Sequence, residues 1–305
     1  MSKVEKKVKK NPGRPPKNIT TPVHLYNGII DKPNIDGSIN EIIITESMMI
    51  NNCLKTFKSL GAENISFNWC KEKLIIYAEV LDSKNEMAVS STVSKKIYLE
   101  FKGKEIYSYY CSEEIIMKLK NISDLEEFFE EIEENSDKII LYYNGINNAL
   151  NADVIQKSLG NYKGKHIIPI ESIEPNLERN DCPESIDDVA VEFKSLNACE
   201  LKKYLNKKSK KRSHECKLVT KNNILTLDFK KMVGPTYTSE FDCKQNNQII
   251  NYKPDYIFEV SLPKNDIYSF CIHFKKTLNM YISETQLFLV YNNKPGIYIK
   301  YLIDI

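Results

Sequence analysis

The chain has 305 residues, 42% of them hydrophobic and 28% charged, with a formal net charge of +2. That length is enough for two cores of ordinary size. The sequence lacks the long apolar run that a signal peptide or a membrane span requires, so a soluble protein is expected.

The charge is unevenly spread. Residues 1–20 carry Lys3, Lys6, Lys7, Lys9, Lys10, Arg14 and Lys17 against Glu5, which is 7 − 1 = +6, so the rest of the chain sums to +2 − 6 = −4. Between Met1 and Ile19 the only branched apolar side chains are Val4 and Val8. Such a segment buries too little surface to offset its ordering entropy, and residues 1–40 are expected to form a disordered basic arm. The eight cysteines contain no Cys-x-x-Cys pair, so neither a zinc ribbon nor a dithiol redox site is indicated, and a reducing interior, cytoplasm or nucleus, fits them. His214 and Cys216 could be half of a metal site; with no second half in the sequence they read as a strand end, and no metal or cofactor is expected.

After the Pro/Gly/Asn-rich approach NGIIDKPNIDGS, the stretch 48–80 reads as helix, strand, turn, strand. Ile50, Cys53, Leu54 and Phe57 follow the i, i+3, i+4, i+7 spacing of one apolar helix face. The strands alternate around the polar tip KEK. The stretch 121–144 predicts a helix with Leu125, Phe128, Phe129 and Ile132 on one face, capped by Ser123 and followed by a strand. Residues 169–185, with three prolines and little periodicity, read as a surface connector. Beyond it the plan repeats. Leu201, Tyr204 and Leu205 mark a helix before KLVTKNNILTLDF, a strand pair, and Ile267, Phe270, Cys271, Phe274 and Leu278 mark another before strands around NNKPG. Two α+β units are expected, at 41–168 and 186–305, joined by an exposed connector.

Two short helices per half across a sheet, the long connector and the ending GIYIKYLIDI resemble DNA polymerase sliding clamps of the proliferating cell nuclear antigen family. The order GRPPK, GIIDKP, CLKTFKSLGAENI is closer still to the clamp-like proteins of asfarvirus-type large DNA viruses. The resemblance implies a ring of three subunits with helices lining the hole and sheets outside. It implies a processivity factor that encircles double-stranded DNA and tethers a DNA polymerase and other replication or repair proteins through short peptides. It also implies no catalysis. The residues agree: there is no glycine-rich phosphate loop, no His-Glu-x-x-His and no Gly-x-Ser-x-Gly. The corresponding location is the nucleus or a viral replication site in the host cytoplasm.

A clamp helix must bury one stripe and turn the other toward phosphates, which 100° steps test. Lys55 and Lys58 fall on the open side of the first helix, Lys203, Lys207 and Lys210 on that of the third, and Lys276 on that of the fourth. Lys211 and Arg212 complete the run KKSKKR, which reads equally as an import patch or a solvated loop. The second helix differs. Residues 121–135 hold seven acids and no base, so either the channel is weakly attractive there, or this helix is displaced, or its acids are a solvated face. In the arm, Gly13-Arg14-Pro15 resembles an AT-hook core, with Arg14 suited to an A·T minor groove and Lys17 to phosphate; a solubilising or import tail fits as well.

By position, the edge strands that would join neighbouring subunits are placed at 153–159, with Val154 and Ile155, and at 236–243, with Tyr237 and Phe241. A groove for partner peptides is placed at Leu81, Met87, Ile173, Leu177, Tyr301 and Ile303. The alternative from another class is a clamp-folded DNA-binding or late transcription factor that never closes a ring.

Overall fold

The computed structural model describes residues 28–45, 47–80, 94–102, 107–120, 122–130, 138–146, 148–156, 161–176, 182–199, 201–202, 215–221, 224–229, 237–242, 249–252, 258–274, 276–294 and 296–305. The first half opens with β1 (Gly28–Ile29), β2 (Asn40–Ile44), α1 (Ser47–Leu60), β3 (Ala62–Cys70), β4 (Lys73–Val80) and β5 (Lys95–Lys102). It continues with β6 (Tyr107–Cys111), β7 (Ile115–Leu119), α2 (Ile122–Glu130), β8 (Lys138–Tyr143), β9 (Ala149–Gln156) and β10 (Asn161–Pro175). The second half runs through β11 (Val191–Asn197), helical residues at 198–199 and 201–202, β12 (Glu215–Lys221), β13 (Ile224–Phe229), β14 (Tyr237–Asp242) and β15 (Ile249–Tyr252). It ends with β16 (Phe258–Pro263), α3 (Lys264–Cys271), β17 (Thr277–Ile282), β18 (Gln286–Lys294) and β19 (Ile297–Asp304).

Strand order repeats from one half to the other. The row β6-β2-β8-β9-β10 recurs as β15-β11-β17-β18-β19, and β7-β3-β4-β5 recurs as β16-β12-β13-β14. The halves meet where β19 pairs antiparallel with β5, from Ile297↔Phe101 to Ile303↔Lys95, and this seam makes one 15-stranded sheet. β10 is longer than its counterpart β19: residues 161–169 pair with β9 and 170–175 with β7. Residues 169–175, read from sequence as connector, are therefore strand.

Helices lie together on one face. α1 packs against both α2 and α3 and on β3, and α2 packs on β3 and β10. The stripe Ile50, Cys53, Leu54 and Phe57 is at most 1% exposed, as its spacing predicts. Gly61 stops α1: its φ of +79° is a left-handed conformation that glycine adopts without strain, and its N–H bonds the Lys58 carbonyl at 3.0 Å. α3 is shorter than its apolar spacing suggests. It ends at Cys271, Phe274 N–H closes a tight turn on the Cys271 carbonyl at 3.2 Å, and Leu278 belongs to β17.

The other face of the sheet carries two small clusters, each covered by a returning segment. Ile35 packs on Ile43, Ile140 and Tyr142, and Cys182 packs with Ile75 and Tyr98. The fully buried Glu41 carboxylate accepts from the N–H groups of Asn34 at 3.0 Å and Ile35 at 2.8 Å. Together with the parallel pairing of β1 on β6, this makes residues 28–40 part of the fold. The arm read from sequence to residue 40 thus overlaps a built segment.

Candidate nucleic-acid interface and edge strands

On the helix-bearing face, Lys55 and Lys58 of α1 are exposed. His273, just past α3, is half-buried; its pKa is pushed down first by burial and then by the positive charges of Lys55 and Lys202. Lys55 of α1 and Lys202 therefore bring two positive charges close to the imidazole at the end of α3, which they hold in its neutral form. Lys202 is absent from the sequence expectation, which placed the stripe at Lys203 and its helical neighbours; proximity of the elements, not spacing, brings it in. Lys276 is exposed but sits on a bend before β17 rather than on a helix, and its carbonyl accepts from Ala198 N–H at 3.0 Å. Arg14, Lys17, Lys203, Lys207, Lys210, Lys211 and Arg212 lie outside the described residues. Because α2 packs directly against α1 and exposes Glu127, the acidic helix stands in the same row as the basic cluster and is not displaced from it.

The second site is the seam between the halves. Glu100 and Lys300 side chains are 1% and 3% exposed, yet their charges meet at 2.8 Å, and Lys73 reaches the second Glu100 oxygen at 3.3 Å. Beyond them Glu184 bonds Lys102 at 2.8 Å and lies 3.5 Å from Lys300. The Lys102 hydrogen bond is the main cause holding the Glu184 carboxyl below its ordinary pKa. Burial pushes the neighbouring Cys182 thiol up to about 12, so it is a packed thiol rather than a reactive one. This network ties residues 182–184 over the seam.

Strand alternation corrects the expected peptide groove. Along β19, Ile297, Ile299, Tyr301 and Ile303 turn into the core, and Tyr301 stacks on Phe270 with ring centroids 5.8 Å apart. Tyr301 and Ile303 are 0% exposed and cannot line a surface groove. On the opposite side of the strands, Leu302 of β19 and Tyr77 of β4 are half-buried, beside the nearly covered Tyr98 of β5. Ile173 is half-buried on β10, and Leu81, Met87 and Leu177 lie outside the described residues.

The expected edge at 153–159 is also corrected. β9 is flanked on both sides, Val154 facing Ile139 of β8 and Gly164 of β10, and Ile155 facing Lys138 and Tyr162. Among the described residues, strands paired on one side only include residues 161–169 of β10, paired with β9, and β14, paired with β13, alongside the terminal strands β1, β15 and β16. Tyr237 and Phe241 do lie on β14.

Among the described residues no group of three or more His, Cys, Asp or Glu side chains could hold a metal ion, and no helix is long and apolar enough to cross a membrane.

The architecture is that of known clamps. The structure superposes on proliferating cell nuclear antigen from Entamoeba histolytica with a TM-score of 0.65 at 14% identity, covering 88% of this chain and 98% of that one. Its superposition on proliferating cell nuclear antigen from Thermococcus kodakaraensis has a TM-score of 0.64 at 13% identity, covering 87% and 99%. No protein-family model and no curated protein matches the sequence. The fold is thus a clamp fold of the proliferating cell nuclear antigen type.

Proposed function

We propose that this chain is a DNA sliding clamp: a non-catalytic subunit that closes head to tail into a ring of three around duplex DNA and tethers a DNA polymerase and other replication or repair proteins to the template. The observation that carries the reading is the strand-by-strand repeat. The junction β5·β19 joins the halves, and the equivalent strands, β14 in one half and residues 161–169 of β10 in the other, are each left open on one side. A heterologous edge-to-edge contact of that kind generates a ring when its rotation closes.

The helix face supports the same reading. Lys55 and Lys202 would meet phosphates without regard to sequence, as sliding requires. Glu127 and the body's charge of −4 make the hole only weakly attractive, and the basic arm would supply the missing charge on a tether, with Arg14 in the A·T minor groove. Partner peptides would dock on the outer face beside the tied-down residues 182–184, near Tyr77 and Leu302. The sequence resemblance to asfarvirus-type clamp-like proteins supports a viral member of this class, acting inside the host cell.

The acidic row beside α1 favours a second reading, a clamp-folded DNA-binding or transcription factor that stays open. Mass in solution at micromolar concentration separates the two. Three times the monomer mass supports the clamp, and a lasting monomer supports the open factor.

A further inference from the structure

The repeat allows each residue at the internal seam to be matched to one on an open edge, by register alone. The hairpins β3–β4 and β12–β13 both turn through two residues, closing at Cys70↔Lys73 and Lys221↔Ile224. Glu100 lies opposite Ile75, two residues beyond the first closure, and Glu240 lies opposite Thr226, two residues beyond the second. Glu240 on β14 therefore holds the position of Glu100 on β5. The next residues, Phe101 and Phe241, match as well.

The partner strand gives the same correspondence. Phe270 of α3 stacks on Tyr301 of β19, and Phe128 of α2 meets His166 of β10 edge-on at 4.9 Å. His166 thus occupies the place of Tyr301, and Lys165 immediately before it occupies the place of Lys300. In the ladders Lys300 faces Val290 of β18, whereas Lys165 faces Asp153 of β9, an acid of its own chain. Lys165 also lies on the same side of the sheet as Lys300. Each ammonium sits over a tyrosine ring, Lys300 at 5.7 Å from Tyr298 and Lys165 at 5.8 Å from Tyr142. Glu240 and Lys165 are both exposed, one on each open edge.

We infer that Glu240 of one copy and Lys165 of the next form an ion pair across the subunit junction, repeating between chains the Glu100–Lys300 pair that joins the halves within the chain. This rests on the ring reading above and names the contact that gives it direction. The occupant of each open edge is a second copy of this chain. An acid on β14 and a base on β10 complement each other head to tail, whereas β14 against β14 or β10 against β10 sets like charges together. The external pair is also the less supported of the two. At the position of Lys73, the second cation on Glu100, stands the exposed Ile224. A pair with fewer neutralising partners and more water is screened more by salt, so the junction between chains should loosen with ionic strength before the internal seam does.

The test is charge reversal in the full-length chain, read as mass in solution against protein concentration and salt. Glu240→Lys and Lys165→Glu should each raise the concentration at which the assembly half-dissociates by about tenfold or more, because each sets like charges face to face. The double variant, which restores opposite charges in reversed order, should recover most of the loss. Both positions are exposed, so the far-ultraviolet circular dichroism of all three variants should match the parent, while melting falls in step with the lost assembly. An assembled parent whose mass is indifferent to both single reversals, or a double variant no better than either single, overturns the pairing while leaving the ring intact. A parent that is monomeric at every concentration overturns the ring itself, and the pairing with it.

Discussion

Replacing Lys300 by methionine tests the internal seam. The substitution keeps the length of the side chain and removes its charge, leaving Glu100, 1% exposed, with Lys73 at 3.3 Å as its remaining cation. Removing one partner of a buried pair costs about 3–5 kcal/mol, because the other charge stays dehydrated and uncompensated. Lys73 places the expected loss near the lower end, about 3 kcal/mol. Exchanging both Glu100 and Lys300 for methionine removes the stranded charge, and the double variant should return to within about 1 kcal/mol of the parent, a coupling of at least about 2 kcal/mol. The single tryptophan, Trp69, is fully buried in β3 and reports unfolding in urea by fluorescence. The midpoint should fall for Lys300→Met with the slope unchanged. A loss under about 1 kcal/mol, or a double variant as unstable as the single, would refute the claim that this pair is a buried, mutually dependent unit.

Three further outcomes are expected. Because the folded-state pKa of Glu184 is depressed, chiefly by Lys102, the hold on residues 182–184 is full above the unfolded carboxylate value, about 4.3, and is lost as pH falls through the lower folded value; amide exchange around Cys182 should speed up in that acid window and stay flat from there to neutrality. Gly61→Ala should cost about 1 kcal/mol through the left-handed backbone alone, since an added Cβ meets nothing within 4 Å, and a thermal melt unchanged from the parent would contradict this. Lys55→Ala with Lys202→Ala should weaken duplex binding equally for A·T-rich and G·C-rich DNA and flatten the salt slope by up to about 2, whereas Arg14→Ala should remove only a preference for A·T-rich duplex; titrations of both DNAs at two salt concentrations read both effects.

Local pattern made much of this legible, and non-local pairing accounts for the rest. α1 could be read directly because its apolar stripe, from Ile50 to Phe57, is written in local spacing. α3 could not be bounded, because Phe274 and Leu278 continue the helical spacing by coincidence; pairing of β17 with β11 and β18 overrides that local periodicity. The inward side of Tyr301 and Ile303 is not legible, because a period of two shows that alternate residues share a face without showing which face is inward. Val154 and Ile155 look like edge residues in sequence, yet edge and centre differ only in whether a distant strand arrives, and β10 does. The same limit hid Lys202 and the equivalence of Glu240 with Glu100, which emerges only when two ladders are counted from their hairpins.

The central claim, a ring closed around DNA, is tested most directly by the order in which duplex ends are blocked. The full-length protein is offered linear duplex with one free end, the end is then capped with a bulky protein block, and the DNA is washed at a salt concentration that removes phosphate-bound protein. A ring threaded over the free end should survive the wash on this DNA and be absent from DNA capped beforehand. Equal retention on both, or loss from both at the same salt, would contradict encirclement.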